Sequence, residues 1–150
     1  MDKINLAPAR AIIAEFEGLR LKAYICPAGV ATIGIGTTTY PDGRKVRLGD
    51  TCTVAQANEW VDHFIAKKIF PVLLPAIKAD ITNNMLCALV SYAYNVGPSG
   101  AKKSDIVKAL NAGKPKAEVA DLFLSHNTAK GKVIAGLVRR RKMERKLFLA

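Results

Sequence analysis

Apolar residues recur along this chain with two different periods. In residues 8–17, Ile12, Ile13 and Phe16 return at helical spacing, and Gly18 follows as a residue able to end a helix. From 19 to 48 the runs shorten. Pro27, Gly29, Gly34, Gly36, Pro41 and Gly43 punctuate segments such as Val30-Ala31-Thr32-Ile33, which predicts three short strands with a turn at Pro41-Asp42-Gly43. Helical spacing resumes after Asp50, where Thr53 is placed to N-cap a helix from Val54 towards Phe70, with Pro71 as the interruption. Residues 81–95 are apolar and Ala-rich, as a buried central helix requires. Ser104 is placed to cap a helix to Asn111, Pro115 opens another through Leu124, and a basic helix covers 134–147. The pattern predicts one α+β domain over 1–150, mainly α-helical. A small antiparallel sheet lies within 19–50, and a larger helical lobe takes 51–150 and the first helix.

Composition narrows the setting. Half of the 150 residues are hydrophobic, enough for one real core. No apolar run approaches the roughly 20 residues of a membrane helix, and Met1 to Arg10 lacks the apolar stretch of a secretory signal. Folding in a cytoplasm is therefore expected. Cys26, Cys52 and Cys87 are odd in number and widely spaced, without a C-x-x-C pair or a Cys/His cluster. That favours a reducing compartment and no metal. Cys87 reads as a buried small hydrophobe and Cys52 as an incidental residue at a loop edge. His63 and His126 have no ligand spacing and read as structural or surface residues. The net charge of +11 suits a polyanion: nucleic acid, acidic lipid or bacterial wall. No aromatic nucleic-acid signature accompanies it.

Chemistry concentrates in three segments. The first is Glu17-Gly18-Leu19-Arg20-Leu21-Lys22-Ala23-Tyr24, with Cys26 and then Thr32-Ile33-Gly34-Ile35-Gly36-Thr37. The second is Ser91-Tyr92-Ala93-Tyr94-Asn95-Val96-Gly97, followed by Ser104 to Gly113. The third is Gly136-Leu137-Val138-Arg139-Arg140-Arg141 with Glu144. In this order the segments resemble glycoside hydrolase family 24, the phage-type lysozymes, over nearly the whole chain. The resemblance implies a lysozyme-like fold with the active-site cleft between its two lobes. It also implies cleavage of the β-1,4 bond between N-acetylmuramic acid and N-acetylglucosamine with net inversion, no cofactor, and a monomer that reaches the wall through a holin-type pore. Two positions depart from the pattern. Thr37 stands where the family has His after G-x-G, and His126 and Asn127 occupy a region where many relatives carry Trp.

Each candidate residue also has a physical reading. Glu17 closes the first predicted helix, where unsatisfied carbonyls carry partial negative charge. Partial burial acts in the same direction and favours a carboxyl that holds its proton, the condition for a general acid on a glycosidic oxygen. The plainer reading is an exposed helix-end glutamate; Glu15 faces another side of the helix. Cys26 stands where the family has Asp or Cys and either activates water, attacks as a nucleophile, or only packs. An ordinary thiol with a pKa of about 8.5 is only slightly ionised at neutral pH. Thr32 offers a hydroxyl for water or sugar, or is simply a β-branched strand residue. Tyr94, Asn95 and Ser104 are candidates for the saccharide cleft, with packing or capping as the alternative. Arg20 is expected to support the fold through an ion pair, and Trp60 to pack in a helix rather than stack on sugar. Competing functions are a lytic transglycosylase, which needs one acid/base glutamate, and a non-catalytic basic protein that binds wall or nucleic acid.

Overall fold

The computed structural model describes residues 3–150. Helix α1 spans Ala7–Glu17 and ends where Gly18 donates its N–H to the Ala14 carbonyl. Strands β1 (Arg20–Ile25) and β2 (Ala31–Gly34) pair antiparallel, with an irregularity in register between Arg20 and Tyr24. The third expected strand does not form as an element. Residues 37–46 contribute only the bridges Ile33–Thr37 and Thr39–Lys45. The tight turn from Tyr40 to Arg44, closed by Tyr40 N–H on the Arg44 carbonyl, leaves its arms too short for a ladder.

Helix α2 (Val54–Phe64) begins with a reciprocal cap: Thr53 accepts from Gln56 N–H, and the Gln56 side chain accepts from Thr53 N–H. Pro71 does not stop the helical run. A π-helical turn at Ile65–Ile69 intervenes, with Phe70 N–H on the Ile65 carbonyl, and α3 (Phe70–Leu73) follows with Pro71 in its first turn. Proline has no N–H to return to the preceding turn, and the wider π turn places it where that N–H is dispensable.

Helix α4 (Asn83–Val96) is the axis of the molecule, buried without a break from Met85 to Ala93. Around it pack Ile13 of α1, Val61 of α2, Ile65 and Ile69 of the π turn, and Phe148 of the last helix. Fully burying each such aliphatic or aromatic side chain stabilises the fold by about 1.5–3 kcal/mol. Helices α5 (Pro98–Lys102), α6 (Asp105–Asn111) and α7 (Lys116–Leu122) follow in short steps. A two-stranded hairpin not anticipated from the pattern, β3 (Thr128–Ala129) and β4 (Lys132–Val133), precedes α8 (Ala135–Leu149). Among the described residues no helix is long and apolar enough to cross a membrane.

Candidate active site

Glu17 is the last residue of α1, so the helix end and the start of the sheet deliver it together. It lines a cleft of about 850 Å³. It is lined by the loop from Thr37 to Lys45, by Trp60, His63 and Phe64 of α2, and by Lys67 and Lys68 of the π turn. Tyr94 and Asn95, near the end of α4, line it as well. The Tyr94 hydroxyl donates to the Ile35 carbonyl at 2.8 Å, tying α4 to the sheet-bearing segment beside Glu17. Burial pushes the Tyr94 phenol well above its ordinary range, which leaves it a neutral donor.

Gly36 makes room for the carboxyl. Its backbone has φ of +78°, and a Cβ there would sit 3.4 Å from Glu17 Oε2. The opposite oxygen, Oε1, accepts from Arg140 Nη1 at 2.9 Å. Arg140 is 2% exposed. Its Nη2 donates to the Ser91 carbonyl at 3.0 Å and its Nε to Glu144 Oε2 at 3.4 Å. Glu144 is fully buried and accepts from the Ser91 hydroxyl at 2.6 Å and from Arg141 Nη2 at 3.1 Å. Arg141 Nε stands 2.7 Å from Glu144 Oε1 as an ion pair without hydrogen-bond alignment. Desolvation pushes the Glu144 carboxyl up and the Arg141 guanidinium down, each against the charge of its partner. Glu17 is thus held from behind by a guanidinium whose own position is fixed on α4 and α8.

Cys26 opens the turn between β1 and β2, where its N–H donates to the Val30 carbonyl and Gly29 N–H returns to the Cys26 carbonyl. Its half-buried thiol is held below the ordinary thiol range by the backbone of Val30, the Thr32 side chain and the backbone of Ala28. Thr32 is buried and donates its hydroxyl to the Val30 carbonyl at 2.9 Å. The structure therefore brings Cys26 and Thr32 together, although neither is among the residues lining the mapped cleft beside Glu17. Ser104 is not brought to the cleft. It is buried, donates to the Ala101 carbonyl and accepts from Val107 N–H, so its hydroxyl is engaged in capping α6.

Other expectations shift in detail. Arg20 is exposed and lies over the Tyr24 ring at 4.8 Å, not in an ion pair among the described residues. Trp60 forms cleft wall and meets Tyr40 edge-on at 5.0 Å, and His63 also lines the cleft. Cys52 is half-buried against the core. Thr37, in the family's histidine position, is nearly buried and pairs by backbone with Ile33. Arg140 was present in the closing arginine segment but carried no assigned role in the sequence. Its signal was the spacing of Arg140, Arg141 and Glu144 on one helix.

The comparisons agree with this arrangement. The family model described as phage lysozyme matches residues 14–144. The chain belongs to the phage lysozyme family. It is 36% identical over 141 residues to the endolysin of Acyrthosiphon pisum secondary endosymbiont phage 1, covering 91% of this chain and 92% of that one. Against the endolysin of Bacillus phage B103 it is 37% identical over 138 residues, covering 92% of this chain but 51% of the longer relative. The solved endolysin from Escherichia coli O157:H7 phage FAHEc1 superposes with a TM-score of 0.83 at 36% identity, over 99% of this chain and 94% of that chain. The lysozyme-like α+β fold expected from the sequence is thereby shown, and with it a glycoside hydrolase of the muramidase type.

Proposed function

We propose that this peptidoglycan-hydrolysing muramidase cuts the β-1,4 bond between N-acetylmuramic acid and N-acetylglucosamine with Glu17 as proton donor. The observation that carries the assignment is the Glu17 carboxyl, lining the large cleft with one oxygen held 2.9 Å from buried Arg140. Glu17 passes its proton to the glycosidic oxygen as the bond to the anomeric carbon breaks, and a water attacks that carbon from the opposite face. The water's lost proton goes to a base. Cys26 is the base in this scheme, supported by a thiol held below its usual range. Thr32 assists as the hydroxyl beside that thiol, able to donate to it or to the Val30 carbonyl. Tyr94 and Asn95 contact sugar along the cleft. The protein works as a monomer without a cofactor, is made in the host cytoplasm, and reaches the periplasmic face of the wall through a holin-type pore.

The test is clearing of outer-membrane-permeabilised Gram-negative cells, with mass analysis of the products. Wild type clears them and releases products carrying one added water. Glu17→Gln loses activity by about a thousandfold or more, and Cys26→Ser and Thr32→Val each lower turnover. Equal clearing by Glu17→Gln refutes the assignment, and 1,6-anhydro products identify a transglycosylase instead.

A further inference from the structure

Exposed apolar side chains gather along one edge of the sheet. Leu19 and Leu21 flank Arg20 at the start of β1 and Ile25 ends it, and all three are 43–50% exposed. The chain from 48 to 54 runs beside this strand. Cys52 N–H donates to the Leu21 carbonyl, Lys22 bridges Thr51, and Ala23 N–H donates to the Asp50 carbonyl. Leu48, 63% exposed, and Val54, 50% exposed, therefore lie along the same edge. Leu48 tips the turn that Asp50 N–H closes on the Arg47 carbonyl, where Gly49 takes a φ of +98°. Single exposed aliphatics are ordinary, but a group of them on neighbouring segments marks an interaction surface.

Cations alternate with these aliphatics. Arg20, Lys22 and Arg47 are exposed, and none takes part in an ion pair among the described residues. No Asp or Glu occurs between residues 18 and 41. The nearby Asp50 is engaged by the Tyr40 hydroxyl and by Arg47 N–H. A second copy docked here about a twofold axis would set these cations against one another. Nucleic acid would answer the cations and leave the leucines against a charged backbone. A bilayer with anionic headgroups satisfies both. Aliphatic tips enter the boundary between headgroups and acyl chains, while guanidinium and ammonium groups meet the phosphates.

We propose that the β1 edge, with Leu19, Leu21 and Leu48 set among Arg20, Lys22 and Arg47, is a docking surface for an anionic phospholipid bilayer, on which the protein lies without crossing it. This binding is separate from cleavage of the glycan and does not use the cleft. Most of the chain's excess charge lies elsewhere, with thirteen basic against four acidic residues in 97–150, and so provides the control for charge alone.

The experiment is sedimentation with vesicles of mixed phosphatidylglycerol and phosphatidylcholine, together with hydrogen exchange of the bound wild type. Exchange is expected to slow at 19–25 and 47–54. Leu21→Asn with Leu48→Asn keeps every charge and weakens binding by about tenfold. Arg20→Gln with Lys22→Gln weakens it by a similar factor of about ten. Removing the same charge at the exposed Lys114 and Lys116, both to Gln, changes binding by less than about twofold. Thermal unfolding of each variant checks the fold, and the wild-type exchange map reads the contact without any substitution. Undiminished binding by the leucine pair overturns the surface. So does an equal loss from the Lys114 and Lys116 pair, which reduces the effect to overall charge, or protection confined to 97–150. Equal protection of 19–25 and 47–54 by duplex DNA overturns the lipid assignment, and a dimer of the free protein that the leucine changes abolish gives the face to a second copy instead.

Discussion

At the scale of single residues, the three cysteines show how local contacts sort identical chemistry. Backbone and Thr32 contacts hold the Cys26 thiol low, whereas burial pushes Cys52 and Cys87 up. The thiolate is the reactive form. Iodoacetamide at neutral pH is therefore expected to alkylate Cys26 first and Cys87 last, read by peptide mass mapping; a faster Cys52 contradicts the assignment of Cys26 as the base. Gly36 is the other decisive residue. Alanine there meets both an unfavourable backbone angle and Glu17 Oε2 at 3.4 Å. Gly36→Ala is expected to cost about 1–2 kcal/mol in urea unfolding from the left-handed backbone, with a drop in turnover from the displaced carboxyl. Loss of stability at unchanged kcat places the carboxyl elsewhere.

Elements carry the cleft walls. The loop that forms one wall is stapled by Tyr40, whose hydroxyl donates to Asp50 Oδ2 at 2.6 Å, and by Arg47 N–H on the same oxygen at 3.0 Å. These bonds hold the Asp50 carboxyl below its usual range, and burial pushes the Tyr40 phenol up to about 12. A carboxyl lowered on folding stabilises the folded state above its unfolded pKa of about 4, and that contribution disappears as pH falls through the lower folded value. Asp50→Asn is therefore expected to be less stable than wild type at neutral pH, with the gap in urea midpoint closing on acidification below about pH 4. A gap independent of pH would mean that packing, not charge, holds the loop. The opposite wall depends on the π turn. Periodicity alone cannot reveal it, because Pro71 argues for a stop, and only the Phe70–Ile65 bond shows that the chain continues helically past the missing donor.

For the whole molecule, the central fact is that α8 returns across α4 to the end of α1. Its Arg140 spans the distance between Glu17 and the fully buried Glu144, and Ser91 closes the set from α4. Breaking a buried ionic set by removing one partner leaves the others uncompensated, at about 3–5 kcal/mol. Glu144→Ala is expected to lose that much in thermal or urea unfolding, far more than an exposed substitution such as Lys142→Gln. A loss below about 1 kcal/mol means that water or another group compensates Arg140 and Arg141.

The sequence by itself determined most of the helices and the surroundings of Glu17 along the chain. Thr53 with Gln56, Gly18, and the apolar run of α4 specify their helices through local bonds and periodicity, and these are properties of neighbours in the chain. The order of the Glu17, Cys26 and Thr32 segment was equally legible. Tertiary structure decided the rest. Ser104 is spent on a cap, and Trp60 becomes cleft wall. It also decided that Arg140, 123 positions beyond Glu17, holds its carboxyl. Such pairings depend on which faces meet when α1, α4 and α8 bury a common core, and no local pattern encodes a distance between helices so far apart in the chain.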